Sequence, residues 1–337
     1  MRFLAIADTH FGYENGRTAL ARKFVYERMF GVFEEILHVA RKEKVDYILH
    51  GGDVFNRSKP RKKVITRAYK LIEEILSEDI GFIIVPGNHE RSILPDTLLR
   101  FHPKSHFFSD FAAIDLGECL LIGFPYSNNI SKLIDEKLSL VLKKHKDKPC
   151  IILCHQLFDG AVFGPHKFRF NIGHGAIDPL LFPESIKLIV SGHIHRAQSL
   201  MKGFVVYPGS TERTSFIEII EPKGYLLIEI DEKQLRVKFK EIPSIPMNVI
   251  ENDLTKQKLN ISDLKQQIES GMVRTLLRFT GRSLTTDEVE SLRNLFPYKQ
   301  YPLLTISPKF PNQVLKPLYE KNMLPFNTPE ISKSYKK

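Results

Sequence analysis

Along roughly the first 195 residues, short apolar runs alternate with longer amphipathic stretches. "RFLAIA", "VDYILHG", "IGFIIVPG", "CLLIGFPY", "PCIILCH" and "IKLIVSGH" are brief, rich in Ile, Leu and Val, and bounded by turn residues, which predicts strands. Between them, residues 19–43, 62–78 and 130–146 space their apolar positions by three and four, as in "FVYERMFGVFEEILHVA", which predicts helices with one buried face. "GFVVYPGS", "GYLLIEI" and "QLRVKFKEI" predict further strands, the last two an antiparallel hairpin across Asp231 and Glu232. Strands separated first by helices and later by turns predict an α/β chain, a layered sandwich with its sheets in the middle.

The Pro-rich stretch "IPSIPMN" (242–248) breaks the pattern and divides an expected first domain, 1–242, from a smaller α/β domain, 243–337. Within the second, residues 253–269 predict a helix, "MVRTLLRF" a strand, "TTDEVESLRNLF" a helix capped by Thr285 or Thr286, and "YPLLTIS" a strand. The stretch from Pro311 onward is too short and too Pro-punctuated for a third domain.

Composition narrows the picture modestly. A chain with 42% hydrophobic residues can bury a core, while its longest apolar runs are too short to cross a bilayer and its N-terminus has no signal-peptide pattern. The expectation is a soluble intracellular protein with no membrane partner. Three cysteines, with Cys150 and Cys154 inside one apolar run, offer no disulfide framework and are read as core thiols. Lys and Arg outnumber Asp and Glu by 49 to 39, a net charge of +10 that permits a polyanionic partner.

Chemistry gathers where strands stop. The first strand ends in Asp8 and His10, the second in "HGGDVFN" with Asp53, and the third in "PGNHE" with Asn88 and His89. Later ones end in "CHQ" with His155 and "SGHIHR" with His193 and His195. In an open α/β sheet the C-terminal strand ends share one edge, where sites form. Imidazole with carboxylate and no thiolate suits a pair of divalent metals such as Mn²⁺, Fe²⁺ or Zn²⁺, with Asp53 central enough to bridge ions roughly 3.5 to 4 Å apart. His193 and His195, two apart in an extended segment, point to the same side.

In order, Asp8-x-His10, Gly52-Asp53, Gly87-Asn88-His89-Glu90, His155 and Gly192-His193-x-His195 carry the five motif blocks of the calcineurin-like metallophosphoesterases, which this chain resembles over about its first 210 residues. "ADTHFG", "LHGGDVFNRSKP", "GHIHRAQ" and "YPGSTER" make it most similar to the SbcD-type nucleases that repair DNA double-strand breaks. The resemblance implies a four-layer α/β/β/α sandwich with a C-terminal capping domain that positions DNA. It also implies Mn²⁺-dependent exonuclease and endonuclease activity, two Mn²⁺ ions per chain, a homodimer, a coiled-coil SMC-like ATPase subunit as partner, and a cytoplasmic or nucleoid-associated location.

Carried over residue by residue, the resemblance assigns one metal to Asp8, His10, Asp53 and His195, and the other to Asp53, Asn88, His155 and His193. His89 would contact the scissile phosphate and protonate the leaving oxygen. At one position the chain departs from the pattern: Asn56 stands where the family often has a second non-ligand histidine. Asparagine can donate a hydrogen bond to phosphate but delivers no proton at neutral pH, which bears on the balance of exonuclease and endonuclease activity. Arg57, Lys59, Arg61, Lys62 and Lys63 directly follow and can neutralise backbone phosphates, although the same residues also read as a solvated helix N-terminus. Arg91, Lys167 and Arg169 are further candidates of that kind, while His166 and His174 read as surface histidines and His50 as a packing or supporting residue. The rival readings are a phosphomonoesterase, a Ser/Thr-type phosphatase or a small-molecule phosphodiesterase of the same fold, and a scaffold that has lost catalysis. The basic loop, the "YPGSTER" segment and the second domain favour DNA, and all seven ligand positions together with His89 favour an enzyme.

Overall fold

The computed structural model describes residues 1–90, 102–128, 134–144, 148–231, 234–255, 259–268, 273–307 and 331–334. Two sheets dominate. The first has seven strands in the spatial order Ile331–Ser334, Gln234–Glu241, Gly224–Ile230, Arg2–Ile6, Tyr47–His50, Gly81–Ile84 and Ser105–Phe107. The second has six, in the order Gln198–Leu200, Val205–Tyr207, Ile186–Ser191, Cys150–Cys154, Leu120–Gly123 and Ala112–Asp115.

Side-chain alternation along each strand explains the layering. On the first sheet Phe3, Ala5, Leu49 and Ile83 face Leu121, Ile151, Leu153 and Leu188 of the second, forming the core between sheets. Their neighbours Leu4, Ile6, Ile48 and Phe82 face outward onto the helices Ala19–Glu43 and Lys62–Ser77. On the far side Leu120, Ile122, Ile152 and Ile189 pack with Ile134, Leu138, Phe158 and Phe182. Because both faces of each central strand are covered, the strands read in sequence as unbroken apolar runs. The result is the four-layer α/β/β/α sandwich.

The helix Ala19–Glu43 begins at Thr18, whose side chain accepts from Ala21 N at 2.9 Å, and ends at Lys44 in the left-handed region. The expected helix over 130–146 is described from Ile134, as a π-helical turn to Leu138 that runs into the α-helix Ser139–Lys144.

The hairpin Gly224–Ile230/Gln234–Glu241 is antiparallel as read from sequence. Beyond it lies a third sheet of three parallel strands, Met247–Asp253, Arg274–Thr280 and Leu304–Ser307, with its own core of Ile250, Leu264, Leu277, Phe279, Leu292 and Ile306. Thr285 caps the helix Thr286–Leu295 with a reciprocal bond pair to Glu288 at 3.2 and 2.9 Å. The predicted 253–269 helix is corrected here: Met247–Asp253 is a strand, and the helix is confined to Ile261–Gln267. Parallel pairing with Arg274–Thr280, a partner more than twenty residues away, decides the conformation over local pattern. The segment read as a tail also returns, since Ile331–Ser334 forms the edge of the first sheet against Gln234–Val237. Residues 312–320 lie outside the described residues.

Candidate metal centre

Strand direction brings the chemistry together. Arg2–Ile6, Tyr47–His50 and Gly81–Ile84 run parallel, as do Cys150–Cys154 and Ile186–Ser191 in the other sheet. A bridge between Ala7, after the first strand, and Ser210, after Val205–Tyr207 of the second sheet, links the two sheets beyond those strands' C-terminal ends. After the strands, Asp8 N donates to Gly52 O at 2.9 Å, His10 N to Asp53 O at 3.0 Å, and Gly192 N to Cys154 O at 3.1 Å, so the ligand-bearing turns are stitched to one another.

These turns are strained. Asp8, His10, Asp53 and His193 all have positive φ, between 46° and 84°, in the region that non-glycine residues seldom occupy. Gly87 lies so close that a Cβ there would sit 2.1 Å from Asp53 Oδ1, and a Cβ on Gly192 would sit 2.2 Å from Gly51 O. Bare backbone is needed at both points for the strand ends to converge.

The seven predicted ligands meet in one place. Asp8, His10 and His195 offer donor atoms within 4.8 Å of one another, as do Asp8, Asp53 and His155. His10 Nε2 is 3.0 Å from His195 Nε2, and Asn88 Oδ1 is 3.0 Å from His155 Nε2 and 2.9 Å from His193 Nδ1. Asp53 Oδ2 stands centrally, 4.0 Å from His10 Nε2 and 3.6 Å from His155 Nε2.

The donor set fits cations. His155 Nδ1 contacts Gly51 O at 2.7 Å, and a carbonyl can only accept, so Nδ1 carries the proton. Burial pushes the His155 imidazole down to about 3, so the ring is neutral and Nε2 is a bare lone pair. That lone pair lies 3.0 Å from Asn88 Oδ1 and 3.6 Å from Asp53 Oδ2, a cluster of acceptors that suits a positive ion. Burial, reinforced by the charge of Asp53, pushes the Asp8 carboxyl up to about 7, and burial raises Asp53 as well. His193 is pushed down to about 4, again chiefly by burial. Two carboxylates and several neutral imidazoles this deep are compensated once divalent cations sit among them.

Further residues hold the candidate ligand rings. His193 N donates to Asp8 Oδ1 and Oδ2 at 3.3 and 3.2 Å. His195 Nδ1 faces Glu218 Oε1 at 3.3 Å, and Glu218 Oε2 pairs with the buried Lys223 Nζ at 2.7 Å. Burial would raise the Glu218 carboxyl, but Lys223 and His195 outweigh it and hold it well below the usual carboxylate range. Lys223 also donates to His195 O at 2.8 Å and Ser210 Oγ at 2.9 Å. Glu90 accepts three backbone N–H groups, from Asp53 at 3.1 Å, Phe55 at 2.6 Å and Gly87 at 2.7 Å. The ring of Tyr126 lies 5.6 Å from that of His193 and 6.1 Å from that of His155.

Sequence pattern alone does not single out these supports. Glu90 stands within "GNHE" with nothing to show what it faces, and the signal for Glu218 and Lys223 is no more than two charges shortly after "YPGSTER". His50, fully buried, contacts Thr9 Oγ1 at 3.0 Å and accepts from Gly52 N at 3.2 Å, one layer behind the ligands.

His89 is more open than His195, with 39% of its side chain exposed against 23%. Its N donates to Asp53 Oδ1 at 2.9 Å, its Nδ1 faces Asn56 O at 2.9 Å, and its Nε2 is 3.7 Å from Asp53 Oδ2. Asn56 therefore acts on His89 through its backbone carbonyl. With Arg57, Lys59 and Arg61 it also lines a cavity of about 100 Å³. Arg61 pairs with Glu14 at 3.1 Å, Lys62 is exposed outside this lining, and Lys63 lies over Tyr26, 5.5 Å from the ring centre. A wider groove of about 590 Å³ carries Lys167, Arg169 and Arg196. His166 and His174 are exposed, and Arg91 lies outside the described residues.

The comparisons with known proteins agree with this geometry. The family model described as calcineurin-like phosphoesterase matches residues 1–197, the span that holds all seven ligand positions. The chain is 24% identical over 327 residues to the SbcD component of the nuclease SbcCD from Staphylococcus saprophyticus, covering 88% of this chain and 83% of that protein. It is 28% identical over 283 residues to the DNA double-strand break repair protein Mre11 of Sulfurisphaera tokodaii, covering 79% and 67%. With the protein of the same name from Methanococcus maripaludis it shares 26% over 246 residues, spanning 66% of this chain and 60% of that one.

Proposed function

This chain belongs to the calcineurin-like phosphoesterase family, and from that premise we propose that it is a metal-dependent nuclease hydrolysing phosphodiester bonds in DNA, in the processing of double-strand breaks. The observation that carries the reading is the convergence of acceptors, His155 Nε2, Asn88 Oδ1 and Asp53 Oδ2, beside His10 and His195. In this reading Asp8, His10, Asp53 and His195 hold one ion and Asp53, Asn88, His155 and His193 the other, with Mn²⁺ as the native metal. Paired divalent cations, when bound, neutralise phosphoryl oxygens and acidify a water for attack on phosphorus.

The remaining work falls to side chains. His89 Nδ1–H donates to Asn56 O, leaving Nε2 beside the cluster, 3.7 Å from Asp53 Oδ2; as the imidazolium, His89 gives its Nε2 proton to the leaving oxygen and is left neutral, still bonded through Nδ1–H. Arg57, Lys59 and Arg61 in one cavity, the exposed Lys62 next to them, and Lys167, Arg169 and Arg196 in a wider groove neutralise backbone phosphates. Such contacts hold a polymer without reading its sequence, and they set a nuclease apart from a phosphomonoesterase with the same centre. Support also comes from the names of the relatives, all nucleases or break-repair proteins. A homodimer and a coiled-coil ATPase subunit complete the proposal, on the strength of the family resemblance.

The test is incubation with end-labelled linear duplex DNA in Mn²⁺, Mg²⁺ or chelator, beside a small aryl phosphodiester and a phosphomonoester. We expect a Mn²⁺-dependent ladder growing from one end, absent in Asp53→Ala, and lost in His89→Ser with metal content intact. Intact DNA with rapid turnover of the phosphomonoester would replace this function with a phosphatase.

A further inference from the structure

The metal ligand His195 is gripped at two points, its ring by Glu218 and its carbonyl by Lys223. What aims Glu218 is the segment 213–218, in which Thr214 Oγ1 donates to Glu218 Oε1 at 2.7 Å. That segment is held from two sides: Tyr13 Oη, in the loop after the first strand, donates to Thr214 O, and the third sheet supplies a second grip. Arg274, 5% exposed at the start of the third sheet's central strand, donates from Nη1 to Arg213 O at 3.0 Å and from Nη2 to Thr214 O at 3.4 Å. Its guanidinium also lies 5.2 Å from the centre of the Phe216 ring. A planar fork that caps two successive carbonyls fixes the local backbone in a way that a point charge does not.

We infer that Arg274 is a positioning residue for the metal centre, acting from the C-terminal sheet through Thr214 and Glu218 on the ring of His195. The inference rests on the two-ion reading above. Outer residues that orient a ligating histidine typically alter metal affinity by about 10- to 100-fold, and a residue two contacts further out belongs at the lower end of that range. It also means that the C-terminal sheet is part of the metal centre's support, in addition to any role in placing DNA.

The contrast that isolates this role is Arg17, which docks the same sheet by donating to Ile306 O, a bond that does not involve the segment 213–218. Metal-stripped protein is titrated calorimetrically with Mn²⁺, and the spin-coupled signal of the loaded pair is followed by electron paramagnetic resonance. Arg274→Ala should weaken one of the two sites about 10-fold and shrink the coupled signal at limiting Mn²⁺, with recovery in excess metal. Thr214→Val, which removes only the hydroxyl aimed at Glu218, should move the same site in the same direction, and it carries the test if Arg274→Ala does not fold. Arg17→Ala should leave both affinities at wild-type values. Wild-type affinity in both Arg274→Ala and Thr214→Val overturns the inference alone, as does an equal loss in Arg17→Ala. Absence of saturable Mn²⁺ binding in the wild type overturns it together with the metal-centre reading.

Discussion

Replacing Glu90 by Gln isolates what its carboxylate does, because size and shape barely change. Oε2 accepts from both Asp53 N and Gly87 N, while Oε1 accepts from Phe55 N. A glutamine has one acceptor oxygen, so its best orientation keeps the oxygen on the first pair and turns the NH₂ toward Phe55 N–H. One buried donor then faces another donor, at a cost of about 1–3 kcal/mol, and the two surviving bonds lose their charge. Burial, then the Asp53 charge, pushes the Glu90 carboxyl up to about 8 against the pull of the three N–H groups. That upward shift means ionised Glu90 costs the metal-free protein stability, so equilibrium urea unfolding is measured on the Mn²⁺-loaded protein, whose cations offset the Asp53 charge, above that pH, where the carboxylate is ionised. We expect a loss of about 2 kcal/mol. Metal occupancy should fall too, because the same carboxylate ties the Asp53 turn to the Gly87 turn that carries Asn88. Stability within about 0.5 kcal/mol of wild type and unchanged Mn²⁺ content would refute the reasoning.

Lys223→Met should destabilise by about 3–5 kcal/mol, because it leaves the Glu218 carboxylate buried without its partner; an unchanged urea midpoint would contradict this. Gly87→Ala should fold but lose metal and activity, as its Cβ is driven onto Asp53 Oδ1; elemental analysis showing full Mn²⁺ content would count against it. Chelation should lower the thermal midpoint, with a definite pH dependence. The Asp8 carboxyl, raised from 3.8 to about 7, favours folding of the metal-free protein at low pH, and that contribution fades as pH rises through this window. Mn²⁺ needs the ionised carboxylate, so its stabilising effect should grow over the same range; a gain from Mn²⁺ that does not vary with pH would reject the assignment.

Much of this protein is determined by local sequence. Apolar runs closed on both faces make the central strands, spacing by three and four makes the helices Ala19–Glu43 and Lys62–Ser77, and Thr285 with Glu288 signs its own capping box. The candidate ligands were legible because each follows a strand and parallel strands end on a common edge, so chain order alone implied convergence. Tertiary structure decided what depends on partners distant in sequence. Met247–Asp253 is a strand because Arg274–Thr280 lies beside it, and Ile331–Ser334 closes the first sheet against a hairpin nearly a hundred residues earlier. Asn56 serves His89 through a carbonyl, which no side-chain reasoning could reveal. The buried charges Glu90, Glu218 and Lys223 acquire meaning only from the groups they face, since a charge is tolerated in a core where specific donors and counter-ions compensate its lost hydration, and only the folded chain supplies them.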